Sequence, residues 1–356
     1  RGGFARLWTP PASFRDEFVK CGCRAAPCWY TTRVRMKTGK LPTQLLERLL
    51  AKVRVADERV LMGPRVGEDA ALIDYGDRIL VAKSDPVTFA TDQIGWYAVQ
   101  VNANDVAVRG ARPRWFLATL LLPEGVEEKG VEKVFDQVLA ACDSLGITLV
   151  GGHTEITRGL PRPIVVGAML GEVEKGRVVT TGGAKVGDAI VLTKGIAIEG
   201  TSILAREAAP ALRQAGVPAE AVATAKQYLF TPGISVVNEA LTACSVAVVH
   251  AMHDPTEGGL ATGLWELAKA SGVGLRIDLE CISVLPECKL FCDALGLDPL
   301  GLLASGALLL ALLEPEVPRL LEALQAKGVQ AKRIATAVAP AEGLWLADVA
   351  GKTPLP

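Results

Sequence analysis

Three motifs decide the fold of this chain: Gly67-Glu68-Asp69-Ala70-Ala71, Ser84-Asp85-Pro86 and Asn102-Ala103-Asn104-Asp105-Val106-Ala107. An apolar run adjoins each of the three acids, Asp69, Asp85 and Asp105. A buried carboxylate is costly unless it is paired with a cation or bound to a metal. Two strand ends and one helix face therefore predict that the acids converge on a divalent cation, and all-oxygen ligands favour Mg²⁺. The simpler interpretation is that each acid is an ordinary cap or turn residue.

The third motif belongs to a helix that the apolar pattern predicts over 94–109. Asn102, Asp105 and Arg109 are spaced i, i+3 and i+7, so they share one polar stripe of that helix. A polar stripe on an otherwise apolar helix should face a functional site or a partner. Gly110 and Pro113 are typical of the helix end.

The composition favours a soluble chain of two domains. It has 356 residues, of which 50% are hydrophobic and 22% are charged, and this length exceeds the usual size of one domain. The net charge of −1 gives no electrostatic case for nucleic acid. No apolar run reaches the roughly 20 residues of a membrane span. Eight cysteines in a chain of this length do not indicate a disulfide framework, and no secretory signal is evident, so a cytoplasmic location is expected.

The first 36 residues differ from the rest of the chain. Their basic residues outnumber the acidic ones by seven to two and follow no sustained period, which predicts a disordered or non-native extension over 1–36. The glycine-rich link 171–187 then separates two regular regions. We therefore predict one domain over 37–172 and a second over 173–356.

A second glycine motif, Gly151-Gly152-His153-Thr154, follows a strand predicted over 147–150. Two glycines after a strand allow backbone N–H groups to approach an anion, so the motif predicts a binding loop. His153 is a candidate metal ligand, proton carrier or phosphate contact. Alternatively, it makes a structural hydrogen bond in the turn.

The motif Asp254-Pro255-Thr256-Glu257-Gly258-Gly259 predicts the start of a helix. Asp254 would be the N-cap, Pro255 the first helical residue and Glu257 the third position of a capping box. Two glycines in the first turn cost about 1 kcal/mol each relative to alanine. They therefore predict a close approach at this point, for which an anion at the helix N-terminus is the natural candidate.

Together these motifs resemble the AIR synthase (PurM-like) superfamily, which includes the hydrogenase maturation protein HypE, selenophosphate synthetase and thiamine-monophosphate kinase. The aspartate–threonine–glycine motif at 254–259 is similar to the corresponding segment of HypE. The resemblance implies an α/β fold of two domains, each a mixed β-sheet covered by helices on one face. It also implies a homodimer that binds a nucleotide between the domains and near the dimer interface.

The resemblance further implies ATP and Mg²⁺ as cofactors. It assigns Asp69, Asp85 and Asp105 to the metal, and Asp105, His153 and Asp254 to catalysis. His153 stands where the family carries an acid. The residues expected to contact the nucleotide are Gly67, Asn102, Asn104, Gly151, Gly152, Thr154, Thr256, Gly258 and Gly259.

The reaction that this resemblance implies is Mg²⁺-dependent ATP hydrolysis, or phosphoryl transfer to an oxygen of an unidentified small molecule. HypE proper carries a C-terminal cysteine that is carbamoylated and then dehydrated, whereas the last cysteine here is Cys292, so the cyanide chemistry itself is not expected. Selenophosphate synthesis is a different activity within the same superfamily, and it would need Cys21 or Cys23. The superfamily also allows thiamine-monophosphate kinase activity, AIR synthase activity, or a non-catalytic, ATP-sensing dimer. A maturation protein is a further expected partner.

Overall fold

A computed structural model describes residues 41–68, 70–90, 92–348 and 351–355. The predicted extension over 1–36, with Cys21 and Cys23, lies outside the described residues, and so does Asp69. Residues Leu46–Pro356 form one compact unit. Helix α1, Thr43–Leu50, precedes the first sheet in the chain.

The first sheet has six strands in the order β1-β2-β3-β6-β4-β5. The strands pair antiparallel, apart from the parallel pair β4–β5. Buried and less buried residues alternate along β6, so one face of the sheet is covered. Helices α2 and α3 pack against that face and close the core. The elements are β1 (Val60–Met62), β2 (Ala71–Tyr75), β3 (Arg78–Val87), α2 (Ile94–Ala107), β4 (Arg112–Pro123), α3 (Glu128–Leu145), β5 (Thr148–Thr157) and β6 (Ile164–Glu174).

The second sheet has seven strands in the order β13-β12-β9-β11-β7-β10-β8, of which β9 and β12 pair in parallel. The strands are β7 (Asp188–Thr193), β8 (Val249–His253), β9 (Gly274–Asp278), β10 (Leu309–Leu313), β11 (Ala331–Val338), β12 (Leu344–Asp348) and β13 (Gly351–Pro354). The helices are α4 (Ile198–Glu207), α5 (Ala209–Gln214), α6 (Ala219–Gln227), α7 (Val237–Val246), α8 (Gly259–Ser271), α9 (Pro286–Leu295) and α10 (Val317–Ala326).

Helices cover both faces of the second sheet, so the expectation of one covered face is wrong there. Every residue of β7 is buried, as in a strand that has packing partners on both sides. Val191 contributes to the core that includes α7 and α10, and its neighbour Ile190 contributes to the core that includes α8. The two mixed sheets covered by helices confirm the predicted two-domain α/β fold, while the boundary at 172/173 stays a prediction.

One segment, 219–246, has the length and the mean hydropathy, 1.2, of a candidate membrane span. In the structure it contains helices α6 and α7 with an irregular turn between them. Thr231 in that turn has φ −143° and ψ 113°, which are extended values. The segment is therefore not one continuous helix.

Candidate functional site

Asp85 of the second motif and Asp105 of the third come together around one lysine. Strand β3 carries Lys83 and Asp85, and helix α2 packs against it with Asp105. The Lys83 Nζ lies 2.8 Å from Asp105 Oδ2 and 3.6 Å from Asp85 Oδ2. The side chains of Lys83 and Asp105 are 12% and 10% exposed, whereas that of Asp85 is 47% exposed. We call these three residues the acid–lysine cluster.

Lys83 is not part of the three motifs, but the sequence indicates its position next to Asp85. Residues i and i+2 of a strand point to the same face of a sheet, so Lys83 and Asp85 had to lie side by side once β3 formed. A lysine next to a predicted metal ligand then becomes its natural counter-ion.

The donor atoms of the cluster fit a hard divalent cation. Carboxylate oxygens are the ligands that Mg²⁺ prefers, and Asp85 and Asp105 supply them next to Lys83 Nζ. Among the described residues, no group of three or more acidic, histidine or cysteine side chains has the arrangement of a metal site. The third predicted ligand, Asp69, lies outside those residues, so the predicted three-acid site stays a prediction.

Asn102 and Asn104 have fully buried side chains that bind backbone groups. The Asn102 amide donates to the carbonyls of Ala98 and Asp85, and its oxygen accepts from the Asp85 N–H at 3.0 Å. Asn104 bonds in the same way to the segment before α7, with its oxygen 2.8 Å from Val236 N and its amide 2.8 Å from Ile234 O. These bonds fix Asp85 and attach α2 to the second domain. Direct contact of either asparagine with a nucleotide stays a prediction.

Arg109 follows the end of α2, continues the polar stripe of that helix and contacts residues from both sides of the predicted domain boundary. Its side chain is fully buried, and Nη1 lies 2.5 Å from Oε2 of Glu68, whose side chain is 7% exposed. The guanidinium also donates to the Thr181 hydroxyl at 3.1 and 3.2 Å. Gly67, with φ 87°, makes the bend before Glu68. The first motif is therefore anchored to the second domain through Arg109.

The glycine pair 151–152 lies inside strand β5, so the predicted loop is wrong. Strand β5 runs from Thr148 to Thr157 in parallel with β4, with a register shift next to Gly151. A β-carbon on Gly152 would collide with the carbonyl of Ala118 on β4. Glycine is therefore required at position 152 for the pairing of β5 with β4. Contacts of Gly151, Gly152 and Thr154 with a nucleotide stay predictions.

The side chain of His153 on β5 is exposed, and its ring nitrogen Nε2 lies 3.4 Å from Glu155 Oε2. Three strand positions separate β5 from β3, which corresponds to about 14 Å at the usual spacing of neighbouring strands. His153 therefore does not join the acid–lysine cluster of its own chain. Its catalytic role stays a prediction.

Helix α8 starts at Gly259, so the predicted capping box at Asp254 is wrong. The N-cap is Gly258, which is left-handed with φ 78° and makes no side-chain capping bond. A β-carbon on Gly259 would collide with the carbonyl oxygens of Leu300 and Leu302. The close approach inferred from the two glycines is thus made by the chain itself. Binding of a nucleotide by Thr256, Gly258 and Gly259 stays a prediction.

A buried acid that belongs to none of the motifs lies next to this turn. Glu199, in the first turn of α4, is 8% exposed. The chain around Ser305 covers it: Gly200 N donates to Leu303 O at 2.9 Å, and Ala304 N donates to Thr256 O at 3.2 Å. Burial, helped by the charge of Glu257 and opposed by the Ser305 hydroxyl, raises the pKa of Glu199 to about 7. Asp254, predicted to be catalytic, is 3% exposed in the same turn region.

The raised pKa of Glu199 predicts a pH-dependent loss of stability. The folded-state pKa of about 7 exceeds the ordinary value of 4.5, so the folded chain holds a proton that the unfolded chain releases. Stability from this group is complete below pH 4.5 and falls as the pH rises to 7, by about 3 kcal/mol in all. Glu199→Gln mimics the protonated acid. Above pH 7 the variant should therefore be about 3 kcal/mol more stable than the parent.

Urea unfolding of both proteins at pH 5 and pH 8 measures this difference. Glu220→Gln, which changes an exposed acid on α6, is the control and should shift neither curve. Equal stability of the Glu199→Gln variant and the parent at pH 8 would show that Glu199 is ionised in the folded chain without cost.

Comparison with known proteins identifies the family. Residues 67–173 match the N-terminal domain of the AIR synthase related proteins, and residues 185–344 match their C-terminal domain. Carbamoyl dehydratase HypE of Azotobacter vinelandii is 33% identical over 314 residues, which are 85% of this chain and 86% of that protein.

Two solved structures have a similar fold. In a HypE–HypF complex the similar chain has a TM-score of 0.70 at 23% identity, over 88% of this chain and 99% of the other. HypE in complex with ATP has a TM-score of 0.66 at 24% identity, over 87% and 89% of the two chains. The chain described here therefore belongs to the AIR synthase related, PurM-like family, and within it to the proteins that resemble HypE.

Proposed function

We propose that the chain is a HypE-like enzyme that uses Mg²⁺ and ATP, either hydrolysing ATP or transferring a phosphoryl group to an oxygen of a small molecule. The observation that carries the proposal is the acid–lysine cluster, which gathers two carboxylates around one cation position. Family membership and the similar fold of a HypE that was solved with ATP support it. The acceptor is proposed to be an amide or acid oxygen, which phosphorylation turns into a leaving group.

In this proposal Asp85 and Asp105, with Asp69, hold Mg²⁺. The metal would supply charge neutralisation for the transferred phosphate. Lys83 pairs with the two carboxylates before the metal binds, and Asn102 fixes the backbone of Asp85. Fixed groups of this kind stabilise developing charge because they need no reorganisation during the reaction. Asp254 and Thr256 are proposed to close the site from the second domain, and His153 to act from the exposed strand β5.

The first experiment is analysis of the nucleotide products after the whole protein is incubated with Mg-ATP and a pool of small metabolites. ADP that rises with one metabolite supports the proposal and identifies the acceptor. AMP would favour selenophosphate-type chemistry instead. Intact ATP, together with measured binding, would favour a non-catalytic, ATP-sensing protein.

Asp85→Asn tests the metal role with little risk to the fold, because the Asp85 side chain is about half exposed. Loss of a carboxylate that binds the metal directly should weaken Mg-ATP binding by at least about tenfold, as changes in the surrounding groups of metal sites already do. Isothermal titration calorimetry measures the affinity. Asp74→Asn is the matched control, since Asp74 is an acid of the same sheet, paired with Lys175 at 2.8 Å. An unchanged affinity of the Asp85→Asn variant would rule out the metal role.

Strand β5 supports the proposed homodimer. It is the last strand of its sheet among the described residues, and it leaves Val150 and Ile156 more than half exposed. A second copy would cover these apolar side chains and occupy the free edge of the strand.

The HypE–HypF complex suggests a maturation protein as a further partner. Sedimentation velocity of the chain, alone and with a HypF-type protein, tests both; a monomer in both runs would contradict them.

A further inference from the structure

Lys83 contacts both of the carboxylates that the proposed function assigns to Mg²⁺. Its Nζ is within ion-pair distance of both Asp105 and Asp85, at 2.8 and 3.6 Å. The lysine side chain is 12% exposed, but Asp85 beside it is 47% exposed. The cluster is thus open to solvent on the Asp85 side and closed on the Asp105 side.

An ammonium and a divalent cation cannot both bind between the same oxygens. Both are positive, so their repulsion would be strong if they shared the same two carboxylates at contact distance. The lysine stem is long and flexible, and its ammonium is a compact point charge that binds phosphate well. A lysine displaced from the acids would therefore remain within reach of any phosphate that accompanied the metal.

We propose that Lys83 is an exchange residue: its ammonium holds Asp85 and Asp105 in the nucleotide-free chain, yields them to Mg²⁺, and then binds a phosphate of the incoming nucleotide. The inference rests on the proposed function, because it assigns a role within the same site. It explains why one strand carries an acid and a lysine on the same face. A consequence is that the free metal binds weakly and that metal and nucleotide bind best together.

Lys83→Met separates this role from that of an ordinary ion pair. Removing the competing cation should strengthen the binding of Mn²⁺ alone by about tenfold, since a charge within 4–6 Å changes a binding equilibrium by one or more powers of ten. The same change should weaken binding of the manganese complex of a non-hydrolysable ATP analogue by about tenfold, because the phosphate contact is lost. An ordinary ion pair predicts no such opposite effects.

The measurements are electron paramagnetic resonance of free Mn²⁺ and calorimetry with the ATP analogue, on the full chain. Lys175→Met is the matched control, because it removes a lysine that pairs with an acid of the same sheet at the same 2.8 Å, and it should change neither affinity. Lys83→Arg keeps the charge and should keep weak Mn²⁺ binding. If Lys83→Met does not fold, Lys83→Gln replaces it.

Opposite shifts of the two affinities would support the exchange role. An Mn²⁺ affinity that is unchanged or weaker in Lys83→Met would overturn it. So would an unchanged affinity for the ATP analogue, where the parent binds that analogue. It would also be overturned if neither the parent nor the variant bound Mn²⁺. A parent that binds Mn²⁺ but no nucleotide would overturn the proposed function and the phosphate step, while the Mn²⁺ comparison would still decide whether lysine and metal compete.

Discussion

Replacing Arg109 by methionine should lower the free energy of unfolding by about 3–5 kcal/mol, the cost of breaking a buried ion pair from one side. Arg109 is fully buried, and its partner Glu68 is 7% exposed. Without the guanidinium, the nearly buried Glu68 carboxylate would keep only the longer contact to the exposed Arg65, at 3.5 Å, and the Thr181 hydroxyl would lose its donor. Urea unfolding followed by circular dichroism measures the change.

Two further variants test this explanation. Arg78→Met removes an arginine whose side chain is 47% exposed and lies 3.5 Å from Glu172, so it should cost less than about 1 kcal/mol. Adding Glu68→Gln to Arg109→Met removes the stranded charge and should recover part of the loss. If the double variant were no more stable than Arg109→Met alone, the cost would come from lost packing rather than from the buried carboxylate.

The same contact links stability to the proposed site, because Glu68 immediately precedes the predicted metal ligand Asp69. Arg109 holds Glu68 from two residues beyond the end of helix α2 and four residues after Asp105. Helix α2 therefore positions the first motif through Arg109, the second through Asn102 and the second domain through Asn104. Of the predicted polar stripe, Asn102 contacts Asp85, Asp105 contacts Lys83 and Arg109 contacts Glu68.

The sequence could predict that Asp85 and Asp105 lie near each other because local rules determine it, whereas their convergence on a metal stays a prediction. A strand places alternate residues on one face, and an apolar helix must pack its polar stripe towards other polar groups. The family motifs also placed both domains in the right order. Lys83 was missed although the same local rule would have found it.

The errors arose where contacts distant in sequence override local preference. Asp254 has the sequence of an N-cap, but the chain at Leu300–Leu302 approaches so closely that the helix starts at Gly259. Gly152 has the sequence of a loop, but pairing with β4 extends the strand through it. No local pattern encodes these two contacts, or the burial of Glu199 by the chain around Ser305.

Glu239→Gln should produce a loss as large as that of Arg109→Met, about 3–5 kcal/mol near neutral pH. Lys194 Nζ lies 2.6 Å from Glu239 Oε1, with the two side chains 7% and 5% exposed. The ammonium also donates to the carbonyls of Gly233 and Ser235. This segment is the one that Asn104 holds from the first domain. Removal of the carboxylate would leave a buried ammonium in the contact between the domains.

The direction in which the stability loss of Glu239→Gln changes with pH shows whether the buried ammonium of Lys194 causes that loss. Burial lowers the pKa of Lys194, and Glu239 opposes that shift, so the variant should have a still lower lysine pKa. A folded-state pKa below the unfolded value makes the unfolded chain bind more protons, and stability then rises with pH until the unfolded lysine titrates. The deficit of Glu239→Gln should therefore be larger at pH 7 than at pH 9.5 in urea unfolding. Glu266→Gln, which changes a partly exposed partner of His253, is the control and should show no such trend between these pH values. A deficit that stays constant with pH would mean that the ammonium of Lys194 keeps its proton through its bonds to Gly233 and Ser235 alone.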